Sequence, residues 1–334
     1  MPATMPTAVE PIESGTMRRA GTAATVLCWA LALATAAWAL ARLFGLERGF
    51  PFVEAVAFTP YVALAAPIAL LVALARRRWW AAGVAALSVL TLAACVLPRQ
   101  FGHARPGPGP ALLVMSANLR IGGADPDAVV ALVRDRHVDL LALQEYTPDA
   151  DRALIAAGLA DVLPYRVAYP DEAASGSALY SRFPLRDEGR RVNPYRFLQA
   201  RATLTVPGAQ PVHVESVHPC APVDPDSADA WFRALAGEPP ATPRGDVRLL
   251  LGDFNATQDH GVLRRLIATG YRDAAASVGR GLTPTWPYDG RPLPRVQLDH
   301  VLADRRIAVS SFGTAPLPRS DHRAILVQLH LPPG

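Results

Sequence analysis

Polar side chains stand at or near the ends of short apolar runs throughout the C-terminal part of this sequence. Asn118 ends one run and Glu145 ends the next, while Asp253 and Asn255 follow the run 247–251. The complete set is Asn118, Glu145, His218, Asp253, Asn255, Asp299, Asp321 and His322. In open α/β proteins, ligands bind at the rim where the strands end. We therefore predict that these side chains gather at one rim of a sheet.

Three residues of this set offer oxygen atoms to a metal ion. Glu145 and Asp321 are carboxylates, and Asn118 carries an amide oxygen. Hard oxygen ligands suit Mg²⁺, which keeps several of its water ligands in protein sites. The set does not have the Cys and His spacing that is typical of zinc sites. The sequence therefore predicts a Mg²⁺ site, with Mn²⁺ as the alternative cation.

The remaining residues of the set predict acid–base chemistry. Asp253 and Asn255 are two positions apart, so in an extended chain their side chains point the same way. One of them can accept a proton from water while the other orients that water or holds a phosphate oxygen. Asp299 can accept a hydrogen bond from one nitrogen of His322 and fix its tautomer, and His218 supplies a second donor. Together with a metal, these groups predict phosphoester hydrolysis by water.

Strands and helices are predicted from residue 111 onward, and these elements position the polar residues of the set. Apolar or alternating runs predict strands at 112–117, 138–144, 178–181, 200–206, 212–217, 247–251, 296–302 and 324–329. Helical spacing predicts helices at 127–136, 224–236 and 260–268. Strands with only some helical crossovers are typical of mixed sheets covered by helices. We therefore predict an α/β domain over 111–334.

Three uncharged stretches precede this domain, at 20–41, 55–75 and 79–98. Each has about the 20 residues that a helix needs to cross a bilayer. None offers the polar face that a soluble helix would need, so we predict three transmembrane helices within 20–97. Pro60 and Pro67 are expected to kink the second helix. The alternative for the first stretch is a cleaved signal peptide.

Arginine placement predicts the orientation of these spans. Arg18 and Arg19 precede the first stretch, and three arginines at 76–78 fill the turn between the second and the third. The positive-inside rule puts both groups in the cytoplasm. The tail 1–19 is therefore predicted to be cytoplasmic. After three crossings the C-terminal domain lies outside the cell membrane.

The segment 98–110 is rich in proline and glycine and is predicted to be a semi-rigid linker. The charge balance changes across it, because residues 1–107 contain nine Arg and four acidic residues. The other 24 Arg and 25 acidic residues nearly cancel in the C-terminal part. A nucleic-acid-binding domain would carry its own basic excess. The balance therefore disfavours nucleic acid as a partner.

The ordered motifs of the C-terminal part resemble the endonuclease/exonuclease/phosphatase (DNase I-like) superfamily. They are SANLR at 116–120, LQE at 143–145, YSRFP at 180–184, SVHP at 216–219, GDFN at 252–255, TW at 285–286, LDHVL at 298–302 and SDH at 320–322. The resemblance implies a four-layer α/β sandwich of two packed sheets with outer helices. Three spans ahead of such a domain are similar to the VanJ-type teicoplanin-resistance membrane proteins of actinomycetes.

Carried over by position, the family's metal ligands fall on Asn118, Glu145 and Asp321. The residue that positions or deprotonates water falls on Asp253, with Asn255 beside it. The phosphate-stabilising histidines fall on His218 and on His322, which is paired to Asp299. These roles are what the resemblance implies.

Three positions stay open at this point. The family usually has an aromatic residue where this chain has His300, so the role of His300 is undetermined. Trp286 lines the substrate cleft or packs in the core. Cys220 follows His218 by two residues, but no element of a cysteine hydrolase surrounds it.

Three functions compete. The first is a membrane-anchored Mg²⁺-dependent hydrolase that acts outside the cell on a phosphate-bearing lipid or cell-wall precursor and confers teicoplanin resistance. The second is a nuclease or phospholipid phosphodiesterase of the same fold. The third is a non-catalytic binding or sensing protein. The filled catalytic set favours an enzyme, and a membrane tether favours a membrane-embedded substrate.

Overall fold

The computed structural model describes residues 13–334, with side chains from residue 22 onward. Most of the predicted cytoplasmic tail, residues 1–12, lies outside the described residues, as do the side chains of Arg18 and Arg19. The chain divides into two compact units. The first comprises residues up to 43 together with 61–95, and the second comprises 44–60 together with 96–334.

The first unit is built from long apolar helices. They are α1 (Glu13–Phe44), α3 (Thr59–Ala75) and α4 (Trp79–Val96). Small residues such as Ala32, Ala73 and Ala85 pack between them, while Leu64 and Leu87 are largely exposed. Small side chains at helix contacts and large apolar ones facing outward are typical of membrane helices. Three stretches are long and apolar enough to cross a membrane, at Thr22–Phe44, Phe52–Ala75 and Trp79–Gln100.

The second predicted span differs from the structure at its start. Residues Phe52–Ala55 form a separate short helix, α2, and Val56–Phe58 form a 3₁₀ helix before α3 begins at Thr59. Pro60 therefore stands in the first turn of α3, where its missing N–H costs no hydrogen bond. Only Pro67 of the two prolines lies inside the helix.

The second unit contains two six-stranded sheets, whose spatial orders are β11-β12-β1-β2-β4-β3 and β5-β6-β7-β8-β10-β9. The strands are β1 (Ala111–Asn118), β2 (Leu140–Gln144), β3 (Tyr165–Tyr169), β4 (Ser177–Ser181), β5 (Leu185–Val192), β6 (Leu198–Leu204), β7 (Val212–Val217), β8 (Val247–Asp253), β9 (Tyr271–Asp273), β10 (Asp299–Asp304), β11 (Ala308–Ala315) and β12 (Ala324–His330). The pairs β1–β2 and β7–β8 are parallel, and the other neighbouring strands are antiparallel.

Alternation along the central strands builds the two sides of each sheet. In β1, Leu112 and Val114 face the inner core, which also contains Leu249 and Leu251 of β8. Met115, the residue after Val114, belongs to a second core on the outer side of its sheet. Successive strand residues point to opposite faces, so a buried sheet needs apolar residues on both. The two inner faces pack on each other and form the centre of the domain.

Helices cover both outer faces and complete four layers. They are α5 (Pro126–Arg136), α6 (Pro148–Ala156), α7 (Leu159–Val162), α8 (Pro225–Ala236), α9 (Gly261–Ala268) and α10 (Ala274–Ser277). Val133 of α5 packs on the first sheet, and Trp231 of α8 packs beside Leu250 on the second. The predicted four-layer α/β sandwich preceded by three apolar helices is thus confirmed.

The strands that sequence patterning missed lie mostly at the sheet edges. β5 is rich in charged residues and alternates between exposed and half-buried positions, so it contains no apolar run. The other missed strands are β3, β9 and β11, which also lie at sheet edges, and β3 and β9 are short. The strand expected over 296–302 begins only at Asp299, because Val296 forms an isolated bridge with Trp286.

The predicted linker 98–110 lies within the second unit and contacts the rest of the domain. Its first residues belong to a 3₁₀ helix, Leu97–Gln100, and the buried Arg99 guanidinium forms an ion pair with Asp259. Further on, the N–H of Arg105 donates to the carbonyl of Val309 at 2.9 Å. Gly109 lies so close to Leu331 that a Cβ would come within 2.0 Å of its carbonyl oxygen. Glycine here permits close packing of the backbone.

Candidate active site

Strand pairing brings the predicted residues to one rim. Asn118 at the end of β1 pairs with Gln144 at the end of the parallel β2, so Glu145 follows directly beside it. In the second sheet, Asp253 at the end of β8 pairs with Asp299 at the start of the antiparallel β10. His218 follows β7, which runs parallel to β8. The carboxyl ends of parallel strands share one edge, which is why residues distant in sequence meet there.

Backbone packing requires glycine at position 252 of the GDFN motif. A Cβ at this position would lie 2.0 Å from the carbonyl oxygen of Val217 in the neighbouring strand. Only glycine lets the two backbones approach this closely. The close approach brings the ends of β7 and β8, and hence His218 and Asp253, together.

His322 and Asp299 form a buried pair at the rim. Nδ1 of His322 lies 2.9 Å from Oδ2 of Asp299, and both side chains are buried. On the other side of the ring, Nε2 lies 3.5 Å from Oδ2 of Asp253. The imidazole thus stands between two carboxylates, in the orientation that the sequence predicts.

This arrangement determines the charge of His322. Burial alone would lower the pKa of His322, but the charges of Asp299 and Asp253 outweigh it and raise that pKa to about 10. The imidazole is therefore protonated at neutral pH. A protonated imidazole is a donor at both nitrogens and has no lone pair for a metal. His322 is accordingly suited to contact an anion.

Asp253 is the central carboxylate of the rim. Its Oδ1 accepts the N–H of Asn255 at 2.8 Å, and its Oδ2 accepts a hydrogen bond from Nδ2 of Asn118 at 3.0 Å. Nε2 of His218 lies 3.8 Å from the same Oδ2. Burial raises the pKa of Asp253 above its usual value, against the opposing charge of His322. A raised pKa makes a carboxylate a better acceptor of protons near neutral pH.

Asn118 connects the two sheets. Its Nδ2 donates to Oε1 of Glu145 as well as to Asp253, in each case at 3.0 Å. Its Oδ1, predicted as a metal ligand, accepts the N–H of Arg120 at 2.8 Å. In this structure Asn118 therefore positions two carboxylates through its nitrogen.

Glu145 is held in a fixed orientation at the rim. Its second carboxylate oxygen accepts the N–H of Ile121 at 2.6 Å, and burial raises the pKa of Glu145. Its backbone has a φ of 54°, and that of Asn255 is 47°. Left-handed conformations of this kind are uncommon for residues other than glycine and concentrate at functional sites. Asn255 also donates from Nδ2 to the carbonyl of Pro219 at 3.0 Å.

His218 is almost fully buried, and its Nε2 faces the carboxylates of Glu145 and Asp253. Burial lowers its pKa, although the charge of Asp253 opposes this. Its backbone N–H donates to Oε1 of Gln199 at 3.2 Å, and its ring packs edge-on against Phe197. His218 and His322 therefore differ in charge, since the former is neutral.

Asp321 stands at the open side of the rim, beside cations. Its Oδ2 accepts hydrogen bonds from Arg291 at 2.6 Å and from Nε1 of Trp286 at 3.1 Å. The guanidinium of Arg291 also lies over the Trp286 ring, 5.3 Å from its centroid. Arg120 reaches Asp289 and lies 3.9 Å from Asp321. Of the alternatives for Trp286, the structure supports the cleft-lining one.

Several positioning residues were missed from the sequence because they are ordinary polar residues in strands or loops. Oγ of Ser320 donates to the carbonyl of Asn118 and accepts the N–H of His322. Thr285 accepts the backbone N–H of Asp299 at 3.1 Å. Gln144 joins the sheets by donating to Oγ of Ser216 at 2.9 Å. Their only sequence signal is their position within or next to the motifs.

His300 and Cys220 make buried contacts that stabilise the fold. His300 is buried, with Nδ1 2.6 Å from Asp273 and Nε2 2.9 Å from the carbonyl of Ala256. It thus joins β10 to the start of α10 and to the loop after β8. The thiol of Cys220 is buried next to the carbonyl of Ser227, and burial raises its pKa to about 11. A thiol of this kind is a poor nucleophile at neutral pH.

A cleft of about 460 Å³ opens beside these groups. It is lined by Glu145, His218, Asp253, Asn255, Asp321 and His322 on the polar side. Trp286, Leu293, Val296 and Leu298 contribute apolar surface, together with Glu54, Ala57 and Phe58 from the segment ahead of α3. Sequence motifs do not indicate this last group. All of the predicted site residues except Asn118 and Asp299 line the cleft. Asn118 and Asp299 contact the lining residues Asp253 and His322, respectively.

The donor set fits a divalent cation. Asp253, Asp299 and His322 bring one ligand atom each within 4.8 Å of one another. However, both nitrogens of His322 already face carboxylates, so this triplet is better suited to proton and anion chemistry. Glu145 and Asp321 line the same cleft and offer oxygen atoms, the ligand type of hard cations.

Comparison with known proteins agrees with this fold. The model of the Endonuclease/Exonuclease/phosphatase family matches residues 115–322. An endonuclease/exonuclease/phosphatase from Beutenbergia cavernae is 21% identical with a TM-score of 0.53, covering 66% of this chain and 72% of its own. Truncated Caenorhabditis elegans TDP2 is 18% identical with a TM-score of 0.51, over 66% and 98% of the two chains. D. rerio TDP2 complexed with a single-strand DNA product is 14% identical with a TM-score of 0.53, over 66% and 99%. A search of curated proteins finds no similar sequence.

Proposed function

The chain belongs to the endonuclease/exonuclease/phosphatase family, whose members hydrolyse phosphate esters, and from this premise we propose a specific activity for it. The protein is a membrane-anchored, Mg²⁺-dependent phosphohydrolase that acts outside the cell on a lipid-linked phosphate or pyrophosphate. The observation that carries the proposal is the contact of buried Asp253 with Asn118, His218 and His322, beside the cleft. A carboxylate beside two imidazoles can accept a proton from water while the imidazoles donate to a phosphate, which suits hydrolysis of a phosphoester by water.

Each residue has a distinct task in this proposal. Asp253 accepts the proton of the attacking water, and Asn255 orients that water. His322, kept protonated by Asp299, donates to a phosphate oxygen and stabilises the negative charge that grows during the reaction. His218 donates a second hydrogen bond from Nε2.

Glu145 and Asp321 would hold the cation, which would polarise the phosphoryl oxygen when bound. Mg²⁺ is proposed because the two ligands are carboxylates, and Mn²⁺ shares this preference. Asn118 as a third ligand stays a prediction, since its amide oxygen accepts the Arg120 N–H here.

A lipid-linked cell-wall intermediate is the proposed substrate. The three apolar helices tether the domain to the place where such a substrate resides. The nearly neutral charge of the C-terminal part does not favour a polyanion, because duplex binding needs several cations that neutralise phosphates. The arrangement of three spans ahead of such a domain resembles that of teicoplanin-resistance membrane proteins, and on this resemblance we propose a role in glycopeptide resistance.

We expect the purified full chain with Mg²⁺ to hydrolyse a polyprenyl diphosphate faster than a phosphodiester lipid or single-stranded DNA. The measurement is product release from each of the three at equal concentration in one detergent. An Asp253→Asn variant is the inactive control. Fastest turnover of DNA would identify a nuclease, and binding of a substrate without turnover would identify a binding protein.

The catalytic domain is proposed to lie outside the cell, because arginines flank the first span and fill the turn between the second and third. A C-terminal alkaline phosphatase fusion should be active, and a C-terminal fluorescent-protein fusion should be dark. Fusions after residue 77 provide the control, since they should show the opposite pattern. A dark phosphatase fusion at the C-terminus would contradict the orientation and the choice of substrate.

A further inference from the structure

The segment Phe44–Pro60, which joins α1 to α3 along the chain, is part of the same compact unit as the catalytic sheets. We call it the cleft segment. It is fixed at its centre by His260, whose Nε2 donates to the carbonyl of Val53 at 2.8 Å while Nδ1 accepts the N–H of Thr257 at 2.9 Å. The carboxylate of Glu47 accepts the N–H of Gly261 at the start of α9.

Apolar packing holds the cleft segment as firmly as these hydrogen bonds. The side chain of Val53 is only 2% exposed and packs in the core cluster that contains Trp231, Phe254 and Leu263. The segment is therefore an integral part of the folded domain.

The last residues of the cleft segment form an apolar wall beside the catalytic groups. Ala57 and Phe58 pack with Val296, Leu298 and Trp286 in one cluster. These five residues line the cleft together with Leu293, which is 45% exposed. Asp253 and His322 line the same cleft. A ligand whose phosphate reaches these two groups has the apolar wall within the same cavity.

We propose that this apolar wall binds the hydrocarbon chain of the substrate, and that the cleft segment is thereby a specificity-determining part of the active site. The proposal rests on the proposed phosphohydrolase function and adds the chemical class that the cleft selects, an alkyl or prenyl chain attached to phosphate. Ligand cleft walls are typically apolar with a few polar groups that fix orientation. Here the polar groups are those of the rim.

The charges around the wall disfavour a nucleic acid strand in the same place. Glu54 of the cleft segment lines the cleft and would repel a chain of phosphates. Arg120 and Arg291 are both engaged with acidic partners, Asp289 and Asp321. Single strands are held by grooves rich in cations with stacking aromatic residues. A neutral hydrocarbon is not repelled by Glu54 and does not need an unpaired arginine for binding.

The test compares two phosphodiesters with the same scissile bond, butyl 4-nitrophenyl phosphate and dodecyl 4-nitrophenyl phosphate. The full chain in detergent is assayed with Mg²⁺ as wild type, Leu293→Asn and Phe58→Ser. Each methylene buried against the wall contributes about fourfold to binding. We expect each variant to lose about tenfold more kcat/KM on the dodecyl than on the butyl ester, mainly through KM. The kcat/KM of each variant is divided by the wild-type value for the same ester, because detergent partitioning of that ester is the same for both proteins and cancels.

Ile155→Asn is the matched control, because Ile155 on α6 is 41% exposed and does not line the cleft. It should leave both substrates unaffected. Equal losses on the two esters, or none on either, would overturn the hydrocarbon site while the phosphohydrolase function stands. If wild type hydrolyses neither ester but hydrolyses the polyprenyl diphosphate, the proposed function stands, and turnover of none of the three means that it fails. In either case, the affinity for dodecylphosphonate is measured by calorimetry for wild type and Leu293→Asn. An unchanged affinity in the variant would refute the proposal that the apolar wall binds the hydrocarbon chain.

Discussion

Replacing His322 with Ala is expected to lower kcat about 10²–10⁴-fold, the usual contribution of a proton-transferring or charge-stabilising group. Asp299→Ala should lose most of the same factor, because Asp299 holds Nδ1 of His322 at 2.9 Å and raises its pKa. The double variant should be little worse than the worse single one, as for residues that act as a unit. The measurement is kcat of all four proteins on one water-soluble phosphoester.

The pH profile separates this role from a structural one. The pKa of His322 is about 10 in the folded protein, so its positive charge is present at neutral pH and lost as pH rises through that value. Asp299→Asn removes the carboxylate and should move the alkaline limb of activity to lower pH. Multiplicative losses in the double variant, or a fully active Asp299→Asn, would refute the pairing.

The protein provides a matched control in a second buried His–Asp pair. His300 and Asp273 are 2.6 Å apart and do not line the cleft. Breaking a buried pair of this kind costs about 3–5 kcal/mol of stability. We therefore expect His300→Ala to lower the melting temperature strongly while the kcat of the folded fraction stays within a fewfold of wild type.

Glu145→Ala is expected to reduce turnover about 10³-fold, since a bound cation contributes several kcal/mol to the stabilisation of transition-state charge. The fold should persist, because the side chain lies at the cleft and not in the apolar core. Activity and Mg²⁺ affinity are measured together, by product release and calorimetry. Glu172→Ala, which removes an exposed carboxylate, is the control.

The pH dependence of cation binding gives a second check on Glu145. Burial raises the pKa of this carboxyl, and a cation binds only its ionised form. Apparent Mg²⁺ affinity should therefore fall as pH decreases toward the raised pKa, and this fall should be lost in Glu145→Ala. Undiminished turnover in excess chelator would contradict the metal-dependent mechanism.

Sequence patterning predicted the layers of the fold because central strands are buried on both faces. Val247–Asp253 and Val212–Val217 are buried at nearly every position, and their ends are marked by Asp253 and His218. The edge strand β5 was missed because its exposed face is charged. Burial, and not an intrinsic preference of the backbone, produces the pattern on which such predictions depend.

The candidate site was predictable as a set of residues but not as a network of contacts. The order of motifs indicated Asp253, Asp299 and His322, and the strand register brings them together. The amide orientation of Asn118 depends on Arg120, Glu145 and Asp253 at once, which spacing alone does not specify. Residues 55–60 of the cleft segment were predicted to belong to the second span and 44–54 to the connection before it. Its contacts with His260 and Val296 are more than 200 residues away in sequence, so no local pattern indicates them.

The central claim is that Asp253 and its neighbours direct water onto phosphorus. The most direct measurement is hydrolysis of a polyprenyl diphosphate in ¹⁸O-labelled water by the full chain with Mg²⁺, followed by mass spectrometry of both products. We predict one ¹⁸O atom in a phosphate product, none in the prenyl alcohol portion, and no labelled product with Asp253→Asn. Label in the alcohol, or equal labelling by Asp253→Asn, would contradict the mechanism.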